Sequence, residues 1–126
     1  MARVTGIGGV FFKAQDPKAL AQWYRDNLGL EVQAWGGAAL RWGTPENPSG
    51  TTAWSLFSAD TSHFEPSTSP FMVNYRVDDV AALLESLRSS GCNVLSGPEQ
   101  SEYGKFGWLL DPEGNKVELW EPPAGQ

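Results

Sequence analysis

Asp16-Pro-Lys-Ala-Leu-Ala-Gln-Trp-Tyr-Arg25 is answered 63 positions later by Asp79-Val-Ala-Ala-Leu-Leu-Glu-Ser-Leu-Arg88: Asp16 falls on Asp79, Ala19-Leu20 on Ala82-Leu83, and Arg25 on Arg88. At the same offset Ala53-Trp-Ser-Leu-Phe57 falls on Lys116-Val-Glu-Leu-Trp120, so that Leu56 matches Leu119 and Ser55 meets Glu118. A chain of 126 residues that repeats at half its length reads as two small modules in tandem, with one site shared between them.

Each half carries the signals of one helix among several strands. Residues 6–14 alternate Val10, Phe12 and Ala14 with Gly9, Phe11 and Lys13, the period of a strand. Asp16 is placed to cap a helix, with Pro17 at its first position, an apolar stripe of Ala19, Leu20, Trp23 and Leu28, and Gly29 to close it. Strands are expected over 30–35, 38–42 and 51–58, broken by Gly36-Gly37 and by the turn-rich stretch 43–50. The second half repeats the order. A strand is expected over 71–77, then a helix capped by Asp78 or Asp79, with Val80, Leu83, Leu84 and Leu87 on one face and Gly91 at its end. Strands over 93–95, 106–110 and 116–120 follow, the last two joined by the reversal Asp111-Pro-Glu-Gly-Asn115. The expected architecture is α+β in one domain: a βαβββ module over 1–58, a polar linker over 59–69, and a second βαβββ module over 70–126.

Composition narrows the function classes. Hydrophobic residues at 40% and aromatic residues at 12% suffice for a core. No run approaches the ~18 apolar residues of a membrane span, and the N-terminus lacks a signal-peptide pattern, so Met1 is read as the start of a cytosolic chain without a membrane partner. Cys92 stands alone, which excludes an internal disulfide and a thiolate metal cluster; it reads as a small buried hydrophobe. A net charge of −6 and a pI near 4.6 exclude a phosphate-binding footprint for nucleic acid and favour cationic over anionic ligands. There is no GxSxG, no Walker loop and no Cys-His pair at catalytic spacing, and Gly6-Ile-Gly-Gly9 precedes a strand, so it is not a phosphate cradle.

One helix covers only one face of a small sheet, so the opposite face of each half must line a cavity or meet a partner. Alternation turns Val117 and Leu119 to the helix, and Lys116, Glu118 and Trp120 away from it. The same parity sends Ala53, Ser55 and Phe57, then Gly9, Phe11 and Lys13, then Met72, Asn74 and Arg76 to that second face. Phe11, Phe57, Met72 and Trp120 would supply apolar lining, and Lys13, Ser55, Asn74, Arg76 and Glu118 polarity, the composition of a small-molecule pocket. Glu118 is the candidate functional carboxylate, either held inert by Lys13 or Arg76 or acting on a ligand as base or recognition group. His63, in the linker, reads as a solvated loop residue, with a swing over a pocket mouth as acid or base as the other reading. Trp23 and Trp54 are assigned to the helix-facing core, and Trp120 to a platform for a planar or cationic ligand.

The stretch 16–30, together with Tyr75-Arg-Val-Asp-Asp79 and residues 111–119, resembles the vicinal oxygen chelate superfamily, which includes glyoxalase I, bleomycin-resistance proteins and extradiol dioxygenases. The resemblance covers nearly the whole chain and implies two βαβββ modules whose sheets form a cup-shaped cavity. It also implies a homodimer, and metal ligands at four points, one on each module's opening strand and one on each closing strand. Those points here are Gly9, Ser55, Met72 and Glu118, of which Glu118 alone is of the ligand type the resemblance implies. The expectation is therefore a protein without metal or other cofactor that binds a small aromatic or cationic molecule. The alternative is a lyase- or isomerase-like enzyme of the glyoxalase type with Glu118 as general base.

Overall fold

Two strands of opposite direction, one from each half, lie side by side at the centre of the sheet, and everything else is arranged about that pair. The computed structural model describes residues 2–43, 45 and 48–126; of the turn-rich stretch 43–50, Thr44, Glu46 and Asn47 lie outside the described residues, as does Met1. Among the described residues the chain runs β1 (Val4–Ala14), α1 (Pro17–Leu28), β2 (Ala38–Arg41), β3 (Thr51–Ser58), β4 (Phe71–Val77), α2 (Val80–Ser89), β5 (Asn93–Ser101), β6 (Gly104–Leu110) and β7 (Lys116–Glu121). The strands form one open, curved sheet of order β2-β3-β1-β4-β7-β6-β5, with both helices on one face. No helix among the described residues is long and apolar enough to cross a membrane.

The offset of 63 reappears in the hydrogen-bonded register. Phe11 stands opposite Ser55 and Lys13 opposite Phe57 in the parallel pair β1–β3; Asn74 stands opposite Glu118 and Arg76 opposite Trp120 in the parallel pair β4–β7. Each second pair lies 63 residues after the first, so the two halves are built on one pairing pattern. The alternation read from the sequence holds in these four strands. Phe12 and Trp54 pack on Tyr24 of α1, and Tyr75, Val77, Val117 and Leu119 pack around α2. A register shift in β1 between Ile7 and Gly9 interrupts that alternation and brings Gly8 to the face opposite the helices, beside Asn74 and Trp120.

The helices are unequal. α2 is capped by Asp79, whose side chain accepts from the Ala82 N–H, and the Val80 N–H donates to Glu121 Oε1, which ties the helix start to β7. Its expected face of Val80, Leu83, Leu84 and Leu87 meets the sheet, with Val80 and Leu84 fully buried, each contributing about 1.5–3 kcal/mol. α1 begins as expected, with Asp16 accepting from Ala19 and Gly29 closing the last turn at φ +68°. Its packed face, however, is Pro17, Leu20, Ala21 and Tyr24, an i, i+3, i+4, i+7 set, rather than the expected stripe. Tyr24 occupies the edge of Phe12 and Trp54, so Trp23 turns outward at 52% exposure and Leu28 is exposed as well.

Other expectations are corrected. Residues 30–35 do not pair as a strand: the Gln33 N–H bonds the Gly37 carbonyl and the Gly36 N–H bonds that of Gln33, so the chain turns on itself and leaves Trp35 exposed. β5 runs past Leu95 to Ser101, with register shifts against β6 that accommodate Gly97 and Pro98. Cys92, expected to be buried, is exposed just after the helix-ending Gly91. The stretch 59–69, expected to be irregular and polar, carries the fully buried Phe64, whose ring lies 5.1 Å from Phe57 and beneath Lys13 Nζ at 5.6 Å. A benzyl side chain thus nails this connection to the sheet.

We predict that Phe64→Ala costs about 3–5 kcal/mol, the usual range for a large aromatic removed from a packed site, whereas Trp23→Ala stays within about 0.5 kcal/mol. Urea unfolding of the two variants checks both; equal losses would mean that Phe64 does not anchor the connection.

Candidate functional site

The face of the sheet turned away from the helices collects the side chains that alternation assigns to it. At its centre stands Glu118 on β7, 4% exposed. A carboxylate so far from water needs donors, and three segments deliver them. Asn74 Nδ2, from the neighbouring rung of β4, donates to Oε1 at 2.7 Å; Trp108 Nε1, opposite it on β6, donates to Oε2 at 2.8 Å. His63 Nε2 lies 3.2 Å from Oε2. An ionised carboxylate only accepts, so Nε2 carries the hydrogen of that bond.

The solvated reading of His63 is thereby corrected. Phe64 anchors the segment, Lys116 Nζ donates to the His63 carbonyl at 2.6 Å, and the imidazole stacks on Phe57 at 5.3 Å with an interplanar angle of 3°. The ring remains 38% exposed at the cleft mouth. Sequence reasoning missed this because a loop residue has no periodicity; the only hint was the position of the chain's sole histidine, five residues past β3. The expected ion pairs to Glu118 are also corrected. Lys13 extends over Phe64, and the Arg76 guanidinium is held between the rings of Trp42 and Trp120, at 5.5 and 5.8 Å. Desolvation lowers the Arg76 pKa from its ordinary value.

Burial pushes the Glu118 carboxyl upward, yet the bonds from His63, Asn74 and Trp108, with the charge of protonated His63, outweigh it and hold the pKa below the ordinary 4.5. The group is a carboxylate at neutral pH. Nearby, Lys116 is lowered by its own desolvation, against the opposing pull of Glu118.

Glu118 stands on the wall shared by two adjoining hollows. The outer one, about 420 Å³, is walled by Phe11, Trp35, Phe57, His63, Phe106 and Trp108. The inner one, about 250 Å³, is walled by Phe11, Asn74, Glu102, Tyr103, Phe106 and Trp120, with Gly8 in its floor. Of the residues singled out from the sequence, Phe11, Ser55, Phe57, Asn74, Glu118 and Trp120 line one or both hollows. Lys13, Met72 and Arg76 share the face but stand outside these linings, Met72 because it is fully buried. Phe106 and Trp108 were legible in principle: the Asp111–Asn115 reversal sets Trp108 opposite Glu118. A further hollow of about 460 Å³ between α1 and residues 32–36 has exposed polar walls, Lys18, Gln22, Arg25 and Gln33, and no buried charge.

The four metal-ligand corners can be tested on this geometry. Gly9 has no donor, and a Cβ there would meet the Phe11 ring at 2.7 Å. Among the described residues no three of His, Cys, Asp and Glu come together. The carboxylate and imidazole that do meet are bonded to each other, short of the roughly three protein ligands that a catalytic divalent ion takes.

Residues 9–120 match the family described as Glyoxalase-like domain. The chain belongs to that family. It lies within the vicinal oxygen chelate superfamily, and solved structures share the fold of this glyoxalase-like protein. Streptomyces coelicolor methylmalonyl-CoA epimerase in complex with 2-nitronate-propionyl-CoA is 20% identical with a TM-score of 0.72, over 97% of this chain and 100% of that one. The Mycobacterium tuberculosis epimerase is 20% identical at 0.63, over 95% and 89%. A glyoxalase/bleomycin resistance protein/dioxygenase superfamily member from Vibrio splendidus is 15% identical at 0.59, over 96% and 99%. No curated protein matches the chain in sequence.

Because the folded-state pKa of Glu118 lies below 4.5, its contribution to stability is fully present above the ordinary carboxylate value and is lost as pH falls through the folded value. Glu118→Gln is expected to lower stability at neutral pH by about 1–3 kcal/mol and to flatten the acid limb below the ordinary value. Urea melts from neutral pH to about pH 3 measure this, and parallel curves for the two proteins would refute it.

Proposed function

We propose that this glyoxalase-like protein is a binding module that holds a small aromatic or cationic molecule in the two-chambered cleft, without the metal usual in its superfamily. The observation that carries the reading is Glu118: a buried, ionised and hydrogen-bonded carboxylate set among the rings of Phe11, Phe57, Phe106, Trp108 and Trp120. Rings supply contact area and a weakly negative face, and the carboxylate supplies sign. The Streptomyces coelicolor epimerase structure holds a CoA ester, which bears several phosphates. Among the described residues the inner chamber is walled by two carboxylates and no lysine or arginine, a poor seat for such an anion.

A second reading, a lyase- or isomerase-like enzyme, rests on the 3.2 Å contact between His63 and Glu118. Three donors make Glu118 a weak base, so the proton would pass to His63 with Glu118 orienting it. A hemithioacetal isomerisation assay on protein purified without chelators, with elemental analysis of the same sample, separates the two. Turnover lost in His63→Ala or Glu118→Gln, or stoichiometric nickel or zinc, would replace the binding reading.

For the binding reading, intrinsic tryptophan fluorescence is expected to be quenched saturably by flat aromatic cations, and Trp120→Ala to weaken binding about tenfold. A flat response across a broad set of such compounds would end it.

A further inference from the structure

Asn74 is 3% exposed, and its Oδ1 has no hydrogen-bond partner among the described residues. An unpaired buried amide oxygen costs about 1–3 kcal/mol, and the obvious remedy, turning the amide over, is closed. Turning it would put Oδ1 in the place of Nδ2, 2.7 Å from a carboxylate oxygen. Glu118 therefore locks the amide with its donor inward and its acceptor toward Gly8. A Cβ at Gly8 would come within 2.1 Å of Oδ1 and 3.0 Å of the Trp120 ring, so only a glycine fits beside this oxygen in the floor of the inner chamber.

Glu118 itself keeps acceptor capacity on the same side. Oε2 takes two bonds, from Trp108 and His63, whereas Oε1 takes one, from Asn74. A carboxylate oxygen accommodates about two. Among the described residues the carboxylate side chains lining this chamber are Glu102 at the rim and Glu118 within; Arg76 is not in the lining but donates to the main-chain oxygen of Gln126, which is. The remaining walls combine the rings of Phe11, Tyr103, Phe106 and Trp120 with small and uncharged polar residues. The outer chamber differs in kind: among the described residues its walls are mostly rings, with Ala53 and Ser55, and Glu118 is the only carboxylate.

We infer that the cleft takes one bipartite ligand, a flat ring in the outer chamber joined to a positively charged N–H group in the inner chamber, hydrogen-bonded to Asn74 Oδ1 and Glu118 Oε1. This rests on the reading of the cleft as a binding site and narrows it, from aromatic or cationic to both at once. N–H donors answer the two acceptors, the positive charge answers Glu102 and Glu118, and the rings of Phe11, Tyr103, Phe106 and Trp120 favour a cation over a neutral amide. A bare divalent ion is not the match, since it seeks about six oxygens and finds rings on most sides.

Three probes separate the elements: benzamidine carries ring, charge and N–H groups, benzyltrimethylammonium carries ring and charge, and benzyl alcohol carries the ring with neither. In a 1H–15N NMR titration of the full chain, benzamidine is expected to move the indole N–H signals of Trp108 and Trp120 saturably and to bind about tenfold tighter than benzyl alcohol, with benzyltrimethylammonium between them. Glu102→Gln, at an exposed position, should weaken benzamidine about threefold or more, and Gly8→Ala, which fills the floor, should weaken it as well, each by a larger factor than it weakens benzyl alcohol. Equal affinity of benzamidine and benzyl alcohol at the same indoles would overturn the bipartite ligand and leave the aromatic cleft standing. Absence of binding by all three would overturn both.

Discussion

A charge buried near the centre of a sheet has to be satisfied from its immediate surroundings, and the rest of this molecule can be understood from how Glu118 is satisfied. Its donors come from β4, from β6 and from the connection between β3 and β4. Asn74 and Trp108 reach it because their strands are in one particular register with β7; a slip of a single residue would turn either donor to the helix side. A buried charge robbed of a partner costs about 3–5 kcal/mol, so the carboxylate selects the pairing as well as occupying it. His63 arrives by another route, on a loop held down by Phe64 and by the bond from Lys116 to its carbonyl.

The parts of this arrangement legible in the sequence are those that follow a period. Alternation along β1, β3, β4 and β7 placed Phe11, Phe57, Asn74, Glu118 and Trp120 on one face, and the parallel registers, repeating at 63, show why the repeat could carry that inference. What escaped has no period. Phe64 is a loop residue buried by contacts with Phe57 of β3 and Lys13 of β1, and nothing local announces that. Residues 30–35 have the composition of a strand, but Gly36 and Gly37 let the chain close on Gln33 before it can pair. On α1, Trp23 and Tyr24 are adjacent aromatics about 100° apart on the helix, and the edge formed by Phe12 and Trp54 decides which one faces inward.

At the corner where the resemblance implies a metal ligand, Glu118 is held in a hydrogen-bonded network. Glu118 occupies one such corner, while the others hold a glycine packed against the Phe11 ring, a hydroxyl at the outer chamber and a buried thioether, at Gly9, Ser55 and Met72. The groups that donate to Glu118 from the neighbouring strands stand beside those corners, at Asn74 and Trp108.

The inequality of the two helices has a mechanical side. α2 is anchored by Val80 and Leu84 and by the bond to Glu121, whereas α1 buries Ala21 and leaves Trp23 and Leu28 in water. Segments with few buried contacts open at lower free energy than the core, so the first half of the chain yields before the second. Trp35, which forms part of the outer wall of the cleft, belongs to the yielding half; Glu118, Asn74 and Trp108 belong to the stiff one. Of the walls of the cleft, the one that bears Glu118, Asn74 and Trp108 is thus the better anchored, and the one that bears Trp35 the less.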